Sequence, residues 1–185
     1  MNVNSDILNK LKNIKLLALD VDGVLTDGCI NMGDQGELFK SFNAKDGLGI
    51  SAALRNGLQV AIITGRRSQI IHNRAKELGI ELLSEGVKDK YMELLQLQER
   101  LGIHFEDTAY IGDDLNDLPA FKAAAVAFTP ADGCEDVKAE AQIVLGCVGG
   151  RGAVREAIEM IFKAQNKWDT VVAGYKQSKP AQDKQ

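Results

Sequence analysis

The sequence predicts an α/β fold with a doubly wound, mainly parallel sheet and a small β-hairpin insertion. Short apolar runs alternate with longer amphipathic stretches, as expected for repeated strand–helix–strand units. The apolar runs are rich in Leu, Ile, Val and Ala and show little alternation, which is typical of strands buried on both faces of a sheet. The length of 185 residues suits one domain with a sizeable core.

The elements follow from this pattern in chain order. The predicted strands cover residues 15–20, 58–63, 80–83, 108–111, 125–128 and 142–145. The predicted helices cover residues 5–12, 46–56, 68–78, 88–101, 115–123, 134–139 and 152–165.

Two segments depart from the repeat. Residues 29–40 place apolar side chains on both sides of a Gly-Asp-Gln-Gly turn, which predicts a β-hairpin insertion at about 28–42. The polar end of the chain predicts that 1–168 form the single domain and that 169–185 form a flexible C-terminal extension.

Charge and cysteine content exclude several classes of partner. A net charge of -4 and a pI of about 5.3 argue against nucleic acid or an anionic membrane surface as the main partner. Apolar runs fall short of the ~20 residues that a membrane helix needs, and the polar N-terminus lacks a signal-peptide core. The widely spaced Cys29, Cys134 and Cys147 predict free thiols and a cytoplasmic location.

Polar side chains follow three of the predicted strands. Asp20 and Asp22 come after the first strand, Thr64 and Arg66 after the second, and Asp113 after 108–111. Ligands of open α/β sheets bind outside the carboxyl ends of the strands, so these groups are expected to meet at one edge. Two carboxylates two positions apart leave an extended segment on the same side, where they can share a cation or divide proton transfer and nucleophilic attack.

The residue types favour a magnesium site that attracts phosphate. Asp20, Asp22 and Asp113 supply hard oxygen ligands suited to Mg²⁺. A hydroxyl at Thr64 and a nearby lysine, either Lys88 or Lys90, would hold an anion. A calcium loop starting at Asp20 is excluded because its fifth, sixth and twelfth positions would be filled by Val24, Leu25 and Asn31.

Together these motifs resemble the haloacid dehalogenase-like (HAD) phosphohydrolases, which have a Rossmann-like fold. The similarity runs from about residue 16 to 161 and consists of DVDGVLTDG, a strand followed by TGR, the second lysine of GVKDK, and GDDLND, in the family's order. The resemblance implies that Asp20 attacks phosphorus and that Asp22 handles the proton. Thr64 and Lys90 would hold the phosphoryl oxygens, while Asp20, the backbone carbonyl of Asp22 and Asp113 would hold Mg²⁺.

Too few residues separate Asp20 from Thr64, and Thr64 from Lys90, to hold the cap domain that many HAD enzymes carry. The stretch 39–47 and the late GGRGAVRE resemble the capless branch that includes 3-deoxy-D-manno-octulosonate 8-phosphate (KDO 8-phosphate) phosphatases of lipopolysaccharide precursor biosynthesis. In that branch hairpins help to build a homotetramer whose neighbouring subunits complete each site. The resemblance assigns substrate contacts to the following residues, in addition to Asp22 and Lys90: Asn43, Ala44, Lys45, Asp46, Gly47, Arg66 and Arg74.

Several alternatives stay open at this stage. Arg66 and Arg74, about two helical turns apart, would face one pocket and suit a sugar-acid carboxylate. The resemblance implies the eight-carbon acid over a nine-carbon sialic-acid-type 9-phosphate, because related phosphatases for the nine-carbon acids often lack an arginine at the position of Arg66. Asp114, Asn116 and Asp117 either cap a helix or support the metal indirectly, and 149–152 is either a plain loop or part of the site. A phosphoprotein or nucleotide phosphatase and a non-catalytic interaction module with the same fold are the other functions considered.

Overall fold

The computed structural model describes residues 4–177 of the chain. Its main sheet has six parallel strands in the order β5-β4-β1-β6-β7-β8, with the first strand near the middle. The strands are β1 (Leu16–Leu19), β4 (Gln59–Thr64), β5 (Leu82–Glu85), β6 (Thr108–Ile111), β7 (Val126–Thr129) and β8 (Ile143–Val144). This order confirms the predicted doubly wound sheet.

Helices cover both faces of the sheet. They are α1 (Ser5–Asn13), α2 (Ala44–Arg55), α3 (Gln69–Leu78), α4 (Lys90–Leu101), α5 (Leu118–Phe121), α6 (Glu135–Glu140), α7 (Ala153–Ala164) and α8 (Trp168–Lys176). Successive residues of β1 point to opposite faces, as strand geometry requires. Leu17 packs in a core with residues of α2, α3 and α7, whereas Leu16 packs with residues of α4 and α5.

The predicted hairpin is present as a separate two-stranded sheet. Its antiparallel strands are β2 (Asn31–Gly33) and β3 (Gly36–Phe39), and they lie between β1 and α2. Met32, Leu38 and Phe39 are 58%, 62% and 54% exposed. The hairpin therefore carries an apolar surface that the described part of the chain leaves in contact with solvent.

The C-terminal extension differs from the prediction. Residues 169–176 belong to α8, whose Val171 is buried in the core and whose Trp168 ring lies beneath the cations of Arg155 and Lys163. This packing replaces the loose segment expected there, while the predicted extension from 178 to 185 lies outside the described residues. Within residues 4–177, no helix is both long and apolar enough to cross a bilayer.

Candidate active site

Three neighbouring strands, β4, β1 and β6, bring the predicted polar residues to one edge of the sheet. Asp20 and Asp22 follow β1, Thr64 ends β4, and Asp113 follows β6. Together they border a cavity of about 230 Å³. The complete lining consists of Asp20, Asp22, Gly28, Ile30, Thr64, Gly65, Arg66, Asp113, Asp114 and Asn116.

Close backbone packing fixes the loop that carries Asp20 and Asp22. Gly23 has a φ of +84°, and a Cβ there would lie 1.9 Å from Asp113 Oδ2. Gly149 packs against this loop, since its Cβ would lie 1.8 Å from the Gly23 carbonyl oxygen, and Gly150 N–H donates to the Val24 carbonyl at 2.9 Å. The segment 149–152, whose role the sequence left open, thus braces the loop behind the carboxylates.

Lys90 is the lysine that contacts Asp20, whereas Lys88 is exposed. The buried Lys90 ammonium lies 2.8 Å from Asp20 Oδ2 and 2.6 Å from Asp117 Oδ1. Burial alone would lower the pKa of Lys90, but the adjacent Asp20 and Asp117 carboxylates outweigh it and raise that pKa. A fixed positive charge is therefore held beside Asp20.

Asp117 is fully buried and orients the groups around it. Its Oδ1 accepts from Lys90 at 2.6 Å and from the Tyr110 hydroxyl at 2.8 Å. Its Oδ2 accepts from the backbone N–H groups of Asp113 at 3.0 Å and Asp114 at 3.4 Å. A carboxylate offers about four acceptor positions, and these four donors occupy them. Asp117 lies near enough to share a cation with Asp20 and Asp113, but its hydrogen bonds fit an indirect role better.

Asp113 carries the clearest sign of a cation site. The carboxylates of Asp20, Asp113 and Asp117 place one oxygen each within 4.8 Å of one another. Asp113 Oδ1 is buried and has no hydrogen-bond partner among the described residues. A buried carboxylate oxygen without a partner is costly unless a cation or solvent meets it. Hard oxygen donors of this kind fit Mg²⁺.

The pKa values of the two predicted ligand carboxyls are consistent with that fit. Burial, together with repulsion from Asp117, raises the pKa of Asp20 to about 6 against the opposing effect of Lys90. Burial and the charges of Asp117 and Asp20 raise the pKa of Asp113 to about 7. A divalent cation would offset the repulsion that raises both values.

Asp22 is held by a residue that the sequence analysis did not assign to the site. The Lys40 ammonium forms an ion pair with Asp22 Oδ1, while Arg66 Nε lies 3.8 Å from Asp22 Oδ2. Lys40 follows β3, so its contact with Asp22 depends on the path of the inserted hairpin. The exposed residues at 38 and 39 precede it without strand-like alternation, so the sequence pattern gave no signal for it.

Other predicted substrate contacts lie away from the cavity. Arg66 lines it, but Arg74 does not: its guanidinium bonds Glu77 at 2.9 Å and lies over the Phe42 ring. The expectation that both arginines face one pocket is wrong within this chain, because α3 begins at Gln69 and Arg66 precedes the helix.

The segment 43–47 also lies outside the cavity lining and has contacts of its own. Asn43 caps α2 through the Lys45 N–H, at 2.8 Å. Buried Asp46 accepts from Gly152 N–H at 3.0 Å and from Arg155 N–H at 2.8 Å, at the start of α7. Ala44 is exposed, and a Cβ on Gly47 would meet Arg74. A substrate role for 43–47 and Arg74 stays a prediction that requires a neighbouring subunit.

The arrangement combines the predicted nucleophile, a second carboxylate and positive charge around one polar cavity. Asp20 lies beside the Lys90 ammonium, Asp22 stands at the wall, and the Thr64 hydroxyl ends the adjacent strand. Carboxylates alone would repel an anion, whereas Lys90, Arg66 and a divalent cation would attract one. The cavity is thus suited to transfer of a phosphoryl group to a carboxylate.

Comparison with known proteins agrees with this chemistry. A family model described as haloacid dehalogenase-like hydrolase matches residues 49–125. The chain is 44% identical over 167 residues to 3-deoxy-D-manno-octulosonate 8-phosphate phosphatase KdsC of Escherichia coli (strain K12), covering 90% of this chain and 89% of the relative. It is 46% identical over 158 residues to KdsC of Haemophilus influenzae, covering 85% and 88%.

Solved structures show the same similarity. The phosphatase from Moraxella catarrhalis, crystallised with magnesium, phosphate and KDO, is 45% identical with a TM-score of 0.89, covering 92% of this chain and 98% of that one. The cobalt-bound phosphatase from Haemophilus influenzae is 43% identical with a TM-score of 0.88, covering 91% and 99%.

Proposed function

The chain belongs to the KDO 8-phosphate phosphatases of the haloacid dehalogenase-like hydrolases, and we propose that it hydrolyses KDO 8-phosphate to KDO and inorganic phosphate. The observation that carries this proposal is the pairing of buried Asp20 with Lys90 at the edge of a cavity that Asp22, Thr64 and Asp113 also border. The substrate is a small sugar-acid phosphate, and the reaction belongs to lipopolysaccharide precursor synthesis.

The proposed reaction has two steps that share one pair of aspartates. In the first, a carboxylate oxygen of Asp20 bonds to phosphorus while the bond from phosphorus to the sugar oxygen breaks, and Asp22 donates a proton to that oxygen. In the second, Asp22 takes a proton from a water molecule that attacks phosphorus, which releases phosphate and restores Asp20. Lys90 and Thr64 hold the phosphoryl oxygens in both steps.

Mg²⁺ is the cofactor that this donor set fits. Asp20, Asp113 and the backbone carbonyl of Asp22 would hold it, with Asp117 orienting Lys90 and the backbone at Asp113. When bound, the ion neutralises part of the negative charge on the phosphoryl group. The orphaned Asp113 Oδ1 supports this assignment.

The sugar acid would be recognised at the mouth of the cavity. Arg66 lies at this mouth, and its guanidinium matches the planar geometry of a carboxylate. We assign Arg74 and the segment 43–47 to recognition only in an assembly in which another subunit adjoins them.

We further propose that the protein is a homotetramer and acts in the cytoplasm. Exposed Met32, Leu38 and Phe39 on the hairpin support self-association, because a partner would remove their apolar surface from water. The cytoplasmic location is supported by three free cysteines, which a reducing compartment preserves.

A phosphate-release assay tests the substrate and the cofactor together. KDO 8-phosphate, a nine-carbon sugar-acid 9-phosphate, nucleotides and a phosphopeptide are compared at equal concentration with Mg²⁺ and with a chelator. We expect kcat/KM for KDO 8-phosphate to exceed the others by about 100-fold, since remote contacts are used to accelerate reaction of the correct substrate. Preference for the nine-carbon ester, or full activity in chelator, would overturn the proposal.

A further inference from the structure

A buried lysine of the inserted hairpin connects that hairpin to the proposed acid–base residue. The side chain of Lys40 is only 1% exposed, although it follows a strand whose neighbouring apolar residues face solvent. Its ammonium pairs with Asp22 Oδ1 and lies 2.9 Å from Glu37 Oε1. The cation is thus shared between one carboxylate at the cavity wall and one on β3.

A second contact fixes the hairpin end of this link. Glu37 Oε2 accepts a hydrogen bond from the Ser68 hydroxyl, at the residue before α3. The Ser68 backbone N–H in turn donates to Glu85 Oε1 at 2.9 Å, at the end of β5. Contacts through Glu37 and Ser68 therefore connect Lys40 to the end of a strand of the main sheet.

The link restricts the directions available to Asp22. Lys40 pairs with Oδ1 of Asp22. The other carboxylate oxygen, Oδ2, therefore faces Arg66, whose Nε lies 3.8 Å from it. Asp22 is 19% exposed in its side chain and lines the cavity, so without Lys40 its carboxylate could rotate toward solvent. Proton transfer to a leaving oxygen requires hydrogen-bond reach of that oxygen, and a displacement of about 1 Å can lower a rate about 100-fold.

We propose that Lys40 is a positioning residue that holds Asp22 in the orientation required for proton transfer to the leaving oxygen. This inference rests on the proposed phosphatase function and adds to it a residue to which the sequence analysis assigned no role in the reaction. It also gives the hairpin a role in the chemistry of its own chain.

The test compares two phosphate esters whose leaving groups differ in their need for protonation. An alkyl phosphate releases a strongly basic alkoxide that must be protonated, whereas p-nitrophenyl phosphate releases a weakly basic phenolate that need not be. The ratio kcat/KM covers only the steps up to release of that group, so it excludes the later attack of water. A loss confined to the alkyl ester therefore isolates proton donation by Asp22 from general damage to the fold or to phosphate binding.

The variant is Lys40→Met, which keeps an unbranched apolar side chain one atom shorter than that of lysine and removes its charge. We expect kcat/KM for KDO 8-phosphate to fall about 100-fold and that for p-nitrophenyl phosphate to fall less than about threefold. Lys76→Met, at an exposed position of α3, is the matched control and should change neither value. Equal losses on both esters, or no loss on either, would overturn the inference.

Glu37→Gln provides a second measurement if Lys40→Met fails to fold. It weakens only the outer anchor of Lys40, so we expect a loss of about threefold to tenfold that is again confined to the alkyl ester. An equal loss on both esters, or none, overturns the inference here too. If the unmodified protein prefers another alkyl phosphate, the proposed substrate is wrong, and the same ratio measured with that ester still decides the role of Lys40.

Discussion

At the scale of single residues, the site contains more negative charge than its own cations balance. Asp20, Asp113 and Asp117 lie together, and Lys90 forms ion pairs with Asp20 and Asp117. Within residues 4–177, one buried oxygen of Asp113 lacks a hydrogen-bond partner. The geometry therefore favours binding of a divalent cation and makes the cation-free protein sensitive to pH.

We expect the cation-free protein to lose stability as pH rises. The pKa values of Asp20 and Asp113, about 6 and about 7, are raised above the ordinary value of 3.8, so the folded chain holds protons that the unfolded chain has released. Their contribution to stability is complete below the ordinary value and is lost as pH rises through the folded pKa values.

Denaturant unfolding between about pH 5 and about pH 8, with chelator and with Mg²⁺, measures this effect. With chelator the free energy of unfolding should fall across this range. Added Mg²⁺ should raise it most at the upper end, because the cation competes with protons for the same oxygens. Asp113→Asn should flatten the slope in chelator, and an unchanged slope in that variant would contradict the assignment.

Replacing the proposed nucleophile should abolish turnover without unfolding the protein. Asp20→Asn removes the carboxylate that would bond to phosphorus, and we expect kcat to fall by about 10⁴-fold or more. The buried amide no longer carries a charge that burial opposes, so the fold should persist in a circular-dichroism melt. Asp136→Asn, exposed on α6, is the control and should retain full activity. Turnover by Asp20→Asn within tenfold of the unmodified protein would exclude the covalent route.

The sequence predicted the residues that end strands better than the residues that reach the site from elsewhere. Asp20, Thr64 and Asp113 could be placed together because neighbouring parallel strands end at one edge. Lys40 could not, since its position depends on how the hairpin folds back over that edge. The prediction that Arg66 and Arg74 share a pocket assumed that one helix carries both residues. In the structure α3 begins at Gln69, so Arg66 precedes it.

At the scale of elements, the loop before α7 determines the shape of the loop after β1. Gly149 lies against the Gly23 carbonyl, and Gly150 N–H donates to the Val24 carbonyl. Asp132 fixes the other side by accepting from Gly149 N–H at 2.8 Å. A side chain at position 149 would have to displace backbone, which cannot yield as a flexible side chain would.

Gly149→Ala should therefore reduce both stability and activity. We expect a loss of about 1–3 kcal/mol in the free energy of unfolding, as for other overpacked positions, and a lower kcat because the loop carrying Asp20 and Asp22 must shift. Gly174→Ala is a matched control in α8, where a Cβ meets open space, and it should be neutral or slightly stabilising. The kcat of Gly149→Ala is measured together with its denaturation curve. An unchanged kcat would show that packing of Gly149 against the loop after β1 does not position Asp20 and Asp22.

Most elements were predictable from their apolar pattern, and α8 was not. The buried strands stand out as continuous apolar runs, and amphipathic stretches separate them. In α8 only Val171 is buried, while the helix depends on tertiary contacts such as Arg155 and Lys163 with the Trp168 ring. Short helices of this kind gain their stability from packing, which local sequence does not encode.

At the scale of the whole molecule, the hairpin has two opposed surfaces. Its inner side fastens Lys40 to Asp22 and Glu37, and its outer side exposes Met32, Leu38 and Phe39. The sequence predicted the hairpin but not this division of roles, because the strands are too short for alternation to show which side faces the core. Self-association would bury the outer side while the inner side remains with its own chain.

A charge on the outer side should therefore dissociate the proposed homotetramer. Leu38→Glu, at the most exposed apolar position of the hairpin, would place a carboxylate where a partner would otherwise exclude water, and burying an unpaired charge is strongly unfavourable. We expect sedimentation velocity to show tetramers for the unmodified protein and smaller species for the variant. Activity on KDO 8-phosphate should fall with them, because Arg74 and 43–47 would lose the neighbouring site they are proposed to complete.

The matched control is Leu8→Glu, which introduces the same charge at an exposed leucine of α1 and should leave both the tetramer and the activity intact. Melting temperatures distinguish dissociation from unfolding, since Leu38 lies outside both core clusters of residues 4–177. A monomeric unmodified protein, or a tetrameric Leu38→Glu variant, would contradict the proposed assembly. Dissociation without loss of activity would instead show that each chain has a complete site, and Arg66 would then be the arginine left to recognise the sugar acid.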